Sequence, residues 1–250
     1  MHKIVTTEDG SNTAFSSMFN EHYHSTQDGA LTESLQKHVI PALQLTQDKE
    51  SLTILDICFG LGYNTLCTLY YCKKNNITKK IKIVSPELDG SLLEVMKTFN
   101  YPKEFDDLKE VITSIASSKS YHDKQFSIEV VIGDAREYIK RSKEQFDVVY
   151  QDAFSPSVNP LLWTKEYFES LNALMMPDAI VTTYSIALKI RLALYHLGLN
   201  LYLNKGEKKY RDATVATRQK LANLELVNME HKISCNPDIS MYHDKELVSV

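Results

Sequence analysis

The segment of this chain that points most directly to chemistry is Asp56-Ile57-Cys58-Phe59-Gly60-Leu61-Gly62-Tyr63-Asn64. An apolar run from Leu52 to Ile57 ends in a turn with two glycines, and a helical pattern follows. Gly60 and Gly62 let the backbone approach a ligand closely, and the start of a helix at Asn64 presents free N–H groups. The dinucleotide fingerprint requires a third glycine where Thr65 stands, which counts against NAD. An acidic residue just before the turn, Asp56, favours a ligand carrying ammonium and sulfonium charge, S-adenosylmethionine.

Three further carboxylates close three further apolar runs. Glu87 is placed to accept hydrogen bonds from both hydroxyls of a ribose, with Asp89 as the alternative. In Gly133-Asp134-Ala135, the acidic side chain contacts an adenine amino group or caps the next helix. Asp152-Ala153-Phe154-Ser155-Pro156 ends the fourth run, where a carboxylate holds an amine substrate and the aromatic neighbour packs on a planar ring. Trp163, the single tryptophan, is as fit for the core as for a ligand contact. His22-Tyr23-His24-Ser25 reads as a lid over a pocket. Histidines at i and i+2 without nearby carboxylates make a poor metal site, and the four cysteines form no C-x-x-C pair, so no metal is expected.

These residues need strand ends to carry them. Leu52–Ile57, Ile81–Ser85, Ile128–Ile132, Phe146–Gln151 and Asp178–Tyr184 read as buried strands, alternating with helices over 62–72, 91–99, 135–143, 165–175 and 186–197. Leu199–Leu203 and Ala213–Thr217 follow each other without a helix, so one edge is expected to be antiparallel. The pattern predicts an α/β, Rossmann-like, mostly parallel seven-stranded sheet with helices on both faces. Residues 1–50 read as an N-terminal substrate or lid segment, with a helix marked by Leu31, Leu35, Val39 and Leu43. Residues 51–217 read as the main domain with a charged insertion near 100–126, and 218–250 as an extension.

The formal net charge of −4 argues against coating nucleic acid by bulk charge. A local patch remains possible, because Lys205, Lys208, Lys209, Arg211, Arg218 and Lys220 stand against only Glu207 and Asp212. No apolar run is long enough to span a bilayer, the N-terminus lacks the apolar core of a signal peptide, and the sparse cysteines suit reduced thiols, so a cytoplasmic location is expected.

The ordered blocks resemble a family. Asp9-Gly10-Ser11, Tyr23-His24-Ser25 with Gly29-Ala30 and Glu33-Ser34, Phe59 to Asn64, Gly133-Asp134-Ala135, Asp152 to Pro156 with Asn159-Pro160 and Trp163, and Thr183-Tyr184-Ser185 are similar to the methyltransferase domain of the bifunctional bacterial tRNA wobble-uridine enzyme MnmC and its stand-alone relatives. The resemblance implies a class I S-adenosylmethionine-dependent methyltransferase. It would act on the 5-aminomethyl group of wobble (2-thio)uridine in tRNA, giving 5-methylaminomethyl-2-thiouridine. It implies Asp152 as the group engaging the amine. The donor would lie on Asp56, Gly60, Gly62, Asn64, Glu87, Asp134 and Ala135. The substrate would lie on Tyr23, His24, Ser25, Phe154, Trp163, Lys208, Lys209 and Arg211.

Two departures stand out: Asp56 replaces the family's glutamate and Cys58 its first glycine. The family's bifunctional members carry a flavin oxidoreductase domain for which 250 residues leave no room, so no flavin is expected. Two alternatives compete. One is an aminopropyltransferase of the spermidine synthase kind, using the same fold with a decarboxylated donor. The other is a non-catalytic RNA-binding module.

Overall fold

A computed structural model of the chain describes residues 3–206 and 210–247. β1 (Lys3–Thr6), β2 (Asn12–Ser16) and β3 (Glu21–His22) form a small antiparallel sheet. A helical rod follows, α-helical over Ala30–Glu33, π-helical over Ser34–Val39 and α-helical again over Ile40–Leu45. Asp9 and Ser11, in the β1–β2 loop, cap this rod from outside: Asp9 Oδ2 accepts the Thr32 N–H at 2.9 Å and Ser11 Oγ accepts the Ala30 N–H at 3.0 Å. Gly29 must be glycine there, because its φ is +89° and a Cβ would lie 1.9 Å from the Asp9 carboxyl carbon.

The second sheet is built from β4 (Ser51–Ile57), β5 (Lys80–Glu87), β6 (Ser120–His122), β7 (Phe126–Ile132), β8 (Phe146–Gln151), β9 (Met175–Thr183), β10 (Asn200–Asn204), β11 (Ala213–Thr217) and β12 (Glu225–Leu226). Their order is β12-β10-β11-β9-β8-β4-β5-β7-β6. The five central strands pair in parallel, while β11 pairs antiparallel with both β9 and β10. The seven expected strands are all present. The additional two, β6 and β12, are short edge pieces of three and two residues without apolar alternation, which is why the sequence pattern misses them.

β4 shows how both faces are filled. Leu52 and Ile54 enter the core layer shared with helix Tyr63–Lys74, whereas Leu55 and Ile57 enter the layer shared with helices Ala135–Arg141 and Lys165–Asn172. β4 lies between β5 and β8, so the connections leave it in opposite directions and open a crevice at the strands' carboxyl ends.

Residues 100–126 are not an insertion standing apart from the core. They hold a 3₁₀ turn, Lys103–Leu108, a helix, Lys109–Ser118, and β6, and together they form the crossover from β5 to β7. Phe105, Leu108, Val111, Ile112 and Ile115 are buried in the first core layer beneath a charged outer face. Residues 218–247 also pack on the domain: Met229 is buried, Lys165 N–H donates to the Tyr242 carbonyl at 2.9 Å, and Arg136 pairs with Asp244. No helix among the described residues is long and apolar enough to cross a membrane.

Phe105 separates a core crossover from a dispensable surface insertion. Its ring is buried against Tyr63, Tyr70 and Tyr101. Phe105→Ala should lower unfolding free energy by about 3–5 kcal/mol in a urea titration, and a loss below about 1 kcal/mol would return the segment to the surface.

Candidate active site

The glycine turn after β4 is held in a tight, strained form. Gly60 and Gly62 have φ of +58° and +77°, and a Cβ on Gly62 would stand 2.7 Å from Phe59 Cζ. Cys58, where the resembling family has glycine, adopts φ +67°, a left-handed conformation costing a side chain roughly 1–3 kcal/mol. The turn is tied to β5 by two bonds. Phe59 N–H donates to the Pro86 carbonyl at 3.2 Å, and Gly60 N–H donates to Glu87 Oε2 at 2.7 Å. Glu87 Oε1 accepts the Asp89 N–H at 2.7 Å. Burial pushes the Glu87 carboxyl up, and the backbone N–H groups of Gly60, Asp89 and Leu88 pull against that shift.

Asp152 follows β8 on a loop held from several sides. Tyr184 Oη donates to the Ala153 carbonyl at 2.9 Å, Trp163 Nε1 donates to the Phe154 carbonyl at 2.8 Å, and Ser155 N–H donates to Glu21 Oε2 at 2.9 Å. The carboxylate itself faces two groups. Asn64 Nδ2 donates to Oδ2 at 2.8 Å, and His38 Nε2 stands 3.4 Å from Oδ1, an electrostatic contact without hydrogen-bond geometry. Burial alone would raise the Asp152 pKa. The surrounding imidazoles, His38 above all, and the Asn64 amide outweigh it and hold the carboxyl at about 2.

Two cavities meet at this carboxylate. One, of about 270 Å³, is lined by Glu87, Asp134, Ala135, Asn64 and Gly60, with Leu161, Leu162 and Pro86 as apolar walls. The other, of about 1000 Å³, is lined by Ser25, Asp28, Glu33, Lys37, Tyr184 and Arg211. Asp152, Phe154, Tyr23 and His24 border both. Phe154 is stacked on Phe19 with ring centroids 4.6 Å apart and lies 4.9 Å from the Tyr23 ring. The donor chamber's shape suits an adenosine-bearing ligand: a carboxylate for the ribose, an acidic group beyond it and an apolar slot between.

Several expected residues stand elsewhere. Asp56 is fully buried behind the turn and borders neither cavity; it accepts from Thr65 Oγ1 at 2.9 Å and from Asn64 Nδ2 at 3.3 Å. Gly62 likewise lies beneath the turn, outside both linings. Asp134 caps the next helix, accepting from the N–H groups of Arg136 and Glu137, and borders the donor chamber as well. Trp163 is a fully buried core residue that reaches the site through the Phe154 carbonyl and an edge-on contact with the Tyr184 ring at 5.8 Å.

The basic patch is divided. Lys205 pairs with Glu225 at 2.6 Å and Arg211 borders the larger cavity. Arg218 is bonded to Asn172 and the Met176 carbonyl at the opposite end of β11, since an extended strand carries its two ends apart. Lys208 and Lys209 lie outside the described residues. Sequence reasoning missed His38 and Lys37. Lys37 bonds Asp28 at 2.6 Å and Glu33 at 2.8 Å on the floor of the larger cavity.

Residues 103–219 match the family described as S-adenosyl-L-methionine-dependent methyltransferase. The crystal structure of MNMC2 from Aquifex aeolicus superimposes with a TM-score of 0.86 at 29% identity, over 100% of this chain and 81% of that one. The chain is an S-adenosyl-L-methionine-dependent methyltransferase. The methyltransferase is also 30% identical over 219 residues to an uncharacterized protein of Methanocaldococcus jannaschii, covering 86% of this chain and 59% of the relative. It is 27% identical over 222 residues to the tRNA 5-methylaminomethyl-2-thiouridine biosynthesis bifunctional protein MnmC of Actinobacillus pleuropneumoniae, covering 80% of this chain and 33% of that protein. The chain therefore spans less than two thirds of either curated relative. The lining of the smaller chamber fits S-adenosyl-L-methionine as the donor, which Glu87, Asp134 and the Gly60 turn would hold. Bound there, it supplies an electrophilic methyl group.

Asp56 gives this site a pH signature. Burial pushes its carboxyl from 3.8 up to about 7, against the bond from Thr65 and with the charge of Asp152 adding to the shift. A raised carboxyl favours folding fully below its ordinary value and loses that contribution as pH rises through the folded value. Buried His24, whose pKa burial lowers, works in the opposite direction, so the difference between proteins is the useful quantity. Asp56→Asn should gain thermal stability relative to wild type as pH rises from roughly 4 to 7. Parallel curves would mean that Asp56 carries no raised pKa.

Proposed function

We propose that this methyltransferase acts on the primary amine of 5-aminomethyl-2-thiouridine at the wobble position of tRNA, giving 5-methylaminomethyl-2-thiouridine. The observation that carries the reading is an ionised carboxylate, Asp152, on the wall between a donor-sized chamber and a larger one. An alkyl amine arrives largely protonated, and an anion at that wall draws it to the junction. The larger chamber supports this choice of substrate. Glu21, Asp28, Glu33, Asp152 and Asp212 outnumber Lys37 and Arg211 around it, an acidic lining that suits a cation. Phe154 offers a face for a pyrimidine ring, and Arg211 at the rim suits a backbone phosphate. The name of the Actinobacillus relative supports the same class of product. The remaining catalytic work is orientation, and no step requires a metal ion. A tRNA substrate would place the protein in the cytoplasm.

The test is incubation with S-adenosylmethionine and tRNA carrying 5-aminomethyl-2-thiouridine, followed by mass spectrometry of the nucleosides. Conversion to the methylamino product is expected. Transfer of an aminopropyl group from the decarboxylated donor to a diamine would support a polyamine synthase instead, and donor binding without turnover on either substrate would support a binding module. Within the reading, Asp152→Asn keeps shape and hydrogen bonding but removes charge. It should leave donor affinity nearly intact while turnover falls about 10²–10⁴-fold, with a residual rate that climbs with pH. Near-normal turnover at neutral pH would make the carboxylate structural.

A further inference from the structure

Asp152 is placed to hold an ammonium and to take up its proton, and one of its oxygens, Oδ2, is already engaged by Asn64 Nδ2 at 2.8 Å. The methylation of an amine still requires that an N–H bond break. Directly behind Asp152 lies the fully buried ring of His38. Its Nε2 stands 3.4 Å from Asp152 Oδ1 and has no hydrogen-bond partner, while its Nδ1 lies 3.0 Å from Thr182 Oγ1 at the end of β9. The ring sits on the π-helical turn Ser34–Val39, a local widening of the kind that recurs at functional sites. The Tyr150 ring packs edge-on against it at 5.9 Å. The charged or titratable groups facing this corner are Asp152, Asp56, His24 and Tyr150, whose hydroxyl burial keeps protonated, and His24 Nδ1 is already engaged by Thr13 Oγ1 at 3.0 Å.

We propose that His38 is the positioning residue of this site, and that it receives, through Asp152, the proton released by the substrate amine. The inference rests on the amine-methyltransferase reading. In the tautomer that donates Nδ1–H to Thr182 Oγ1, the Nε2 lone pair is directed to Asp152. The amine N–H bond breaks as an O–H bond forms on Asp152. That O–H bond breaks as an N–H bond forms on His38 Nε2, and the electron pair left on the amine nitrogen is the one used for methyl transfer. After product leaves, the proton returns through Asp152 to water in the opened chamber.

His38→Gln keeps a polar atom near Asp152 but removes the ring's proton affinity. Donor affinity by calorimetry should stay within about two-fold of wild type, while turnover near neutral pH falls about 10²-fold. The loss in His38→Gln should fall on kcat and leave KM for the tRNA within about two-fold of wild type, and a loss carried mainly by KM overturns the assignment. A second measurement needs no substrate. With 15N-labelled histidine, the His38 Nε2 resonance should move in Asp152→Asn, and an unmoved resonance overturns the coupling even if the amine substrate proves different. Failure of wild-type turnover on the aminomethyl tRNA with a resonance that does move would instead count against the substrate reading alone.

Discussion

One side-chain amide joins two buried carboxylates, and much of the site is arranged around that contact. Asn64 Nδ2 donates to Asp152 at 2.8 Å and to Asp56 at 3.3 Å. Two anions so close repel, and burial raises the cost of both charges. The protein resolves the conflict asymmetrically. Asp152 is surrounded by His38, His24 and Asn64 and is held ionised, whereas Asp56 has Thr65 and half of one amide and is pushed toward protonation. The sheet makes this division possible. Asp56 lies in the last turn of a central strand with neighbours on both sides, while Asp152 has passed the end of β8 and reaches the two cavities.

The same contact depends on the glycine turn. Asn64 is the second residue of the helix that the turn feeds, so the turn's geometry sets where the amide points. Glu87 fixes the turn from the neighbouring strand through Gly60 N–H. A carboxylate that would serve the ribose thus also anchors the loop that would touch the rest of the donor. Losing Glu87 would therefore alter both, and its effect would exceed that of a single lost ligand bond.

What the sequence made legible follows from periodicity. The five parallel strands, the glycine turn and the carboxylates at the strand ends all lie where short apolar runs stop, and runs of that kind can be read directly. The crossover at 100–126 reads as an insertion because its charged outer face dominates its composition, although Phe105, Leu108, Val111, Ile112 and Ile115 have helical spacing. His38 was hidden for a different reason. The stripe Leu31, Leu35, Val39 and Leu43 assumes 3.6 residues per turn, and on that reading Lys37 belongs to the solvent side and His38, seven residues after Leu31, only to the edge of an apolar face. The π-helical turn carries them inward, where Lys37 meets Asp28 and Glu33 and His38 meets Thr182 and Asp152. A single extra residue in a turn leaves no compositional mark. Neighbours in sequence also parted along β11, which sets Arg211 at the site and Arg218 at the far end of the sheet.

The division of labour between segments follows from these placements. The strand ends and their loops supply the smaller chamber, with Glu87, Asp134 and the Gly60 turn on its wall. The larger chamber draws its lining chiefly from the N-terminal segment, Glu21 to Lys37, and from the Arg211 region. The N-terminal sheet is not a detachable lid. Tyr63 Oη donates to the Asn12 carbonyl at 2.7 Å, Glu21 accepts from Ser155, and Tyr23 packs over Gly60, so the sheet is fastened to the donor turn and to the Asp152 loop at once. The two chambers consequently share a wall. If the larger one takes the amine as proposed, a change in the N-terminal segment that reshapes it would displace Phe154 and Asp152 with it, and so would act on turnover as well as on binding.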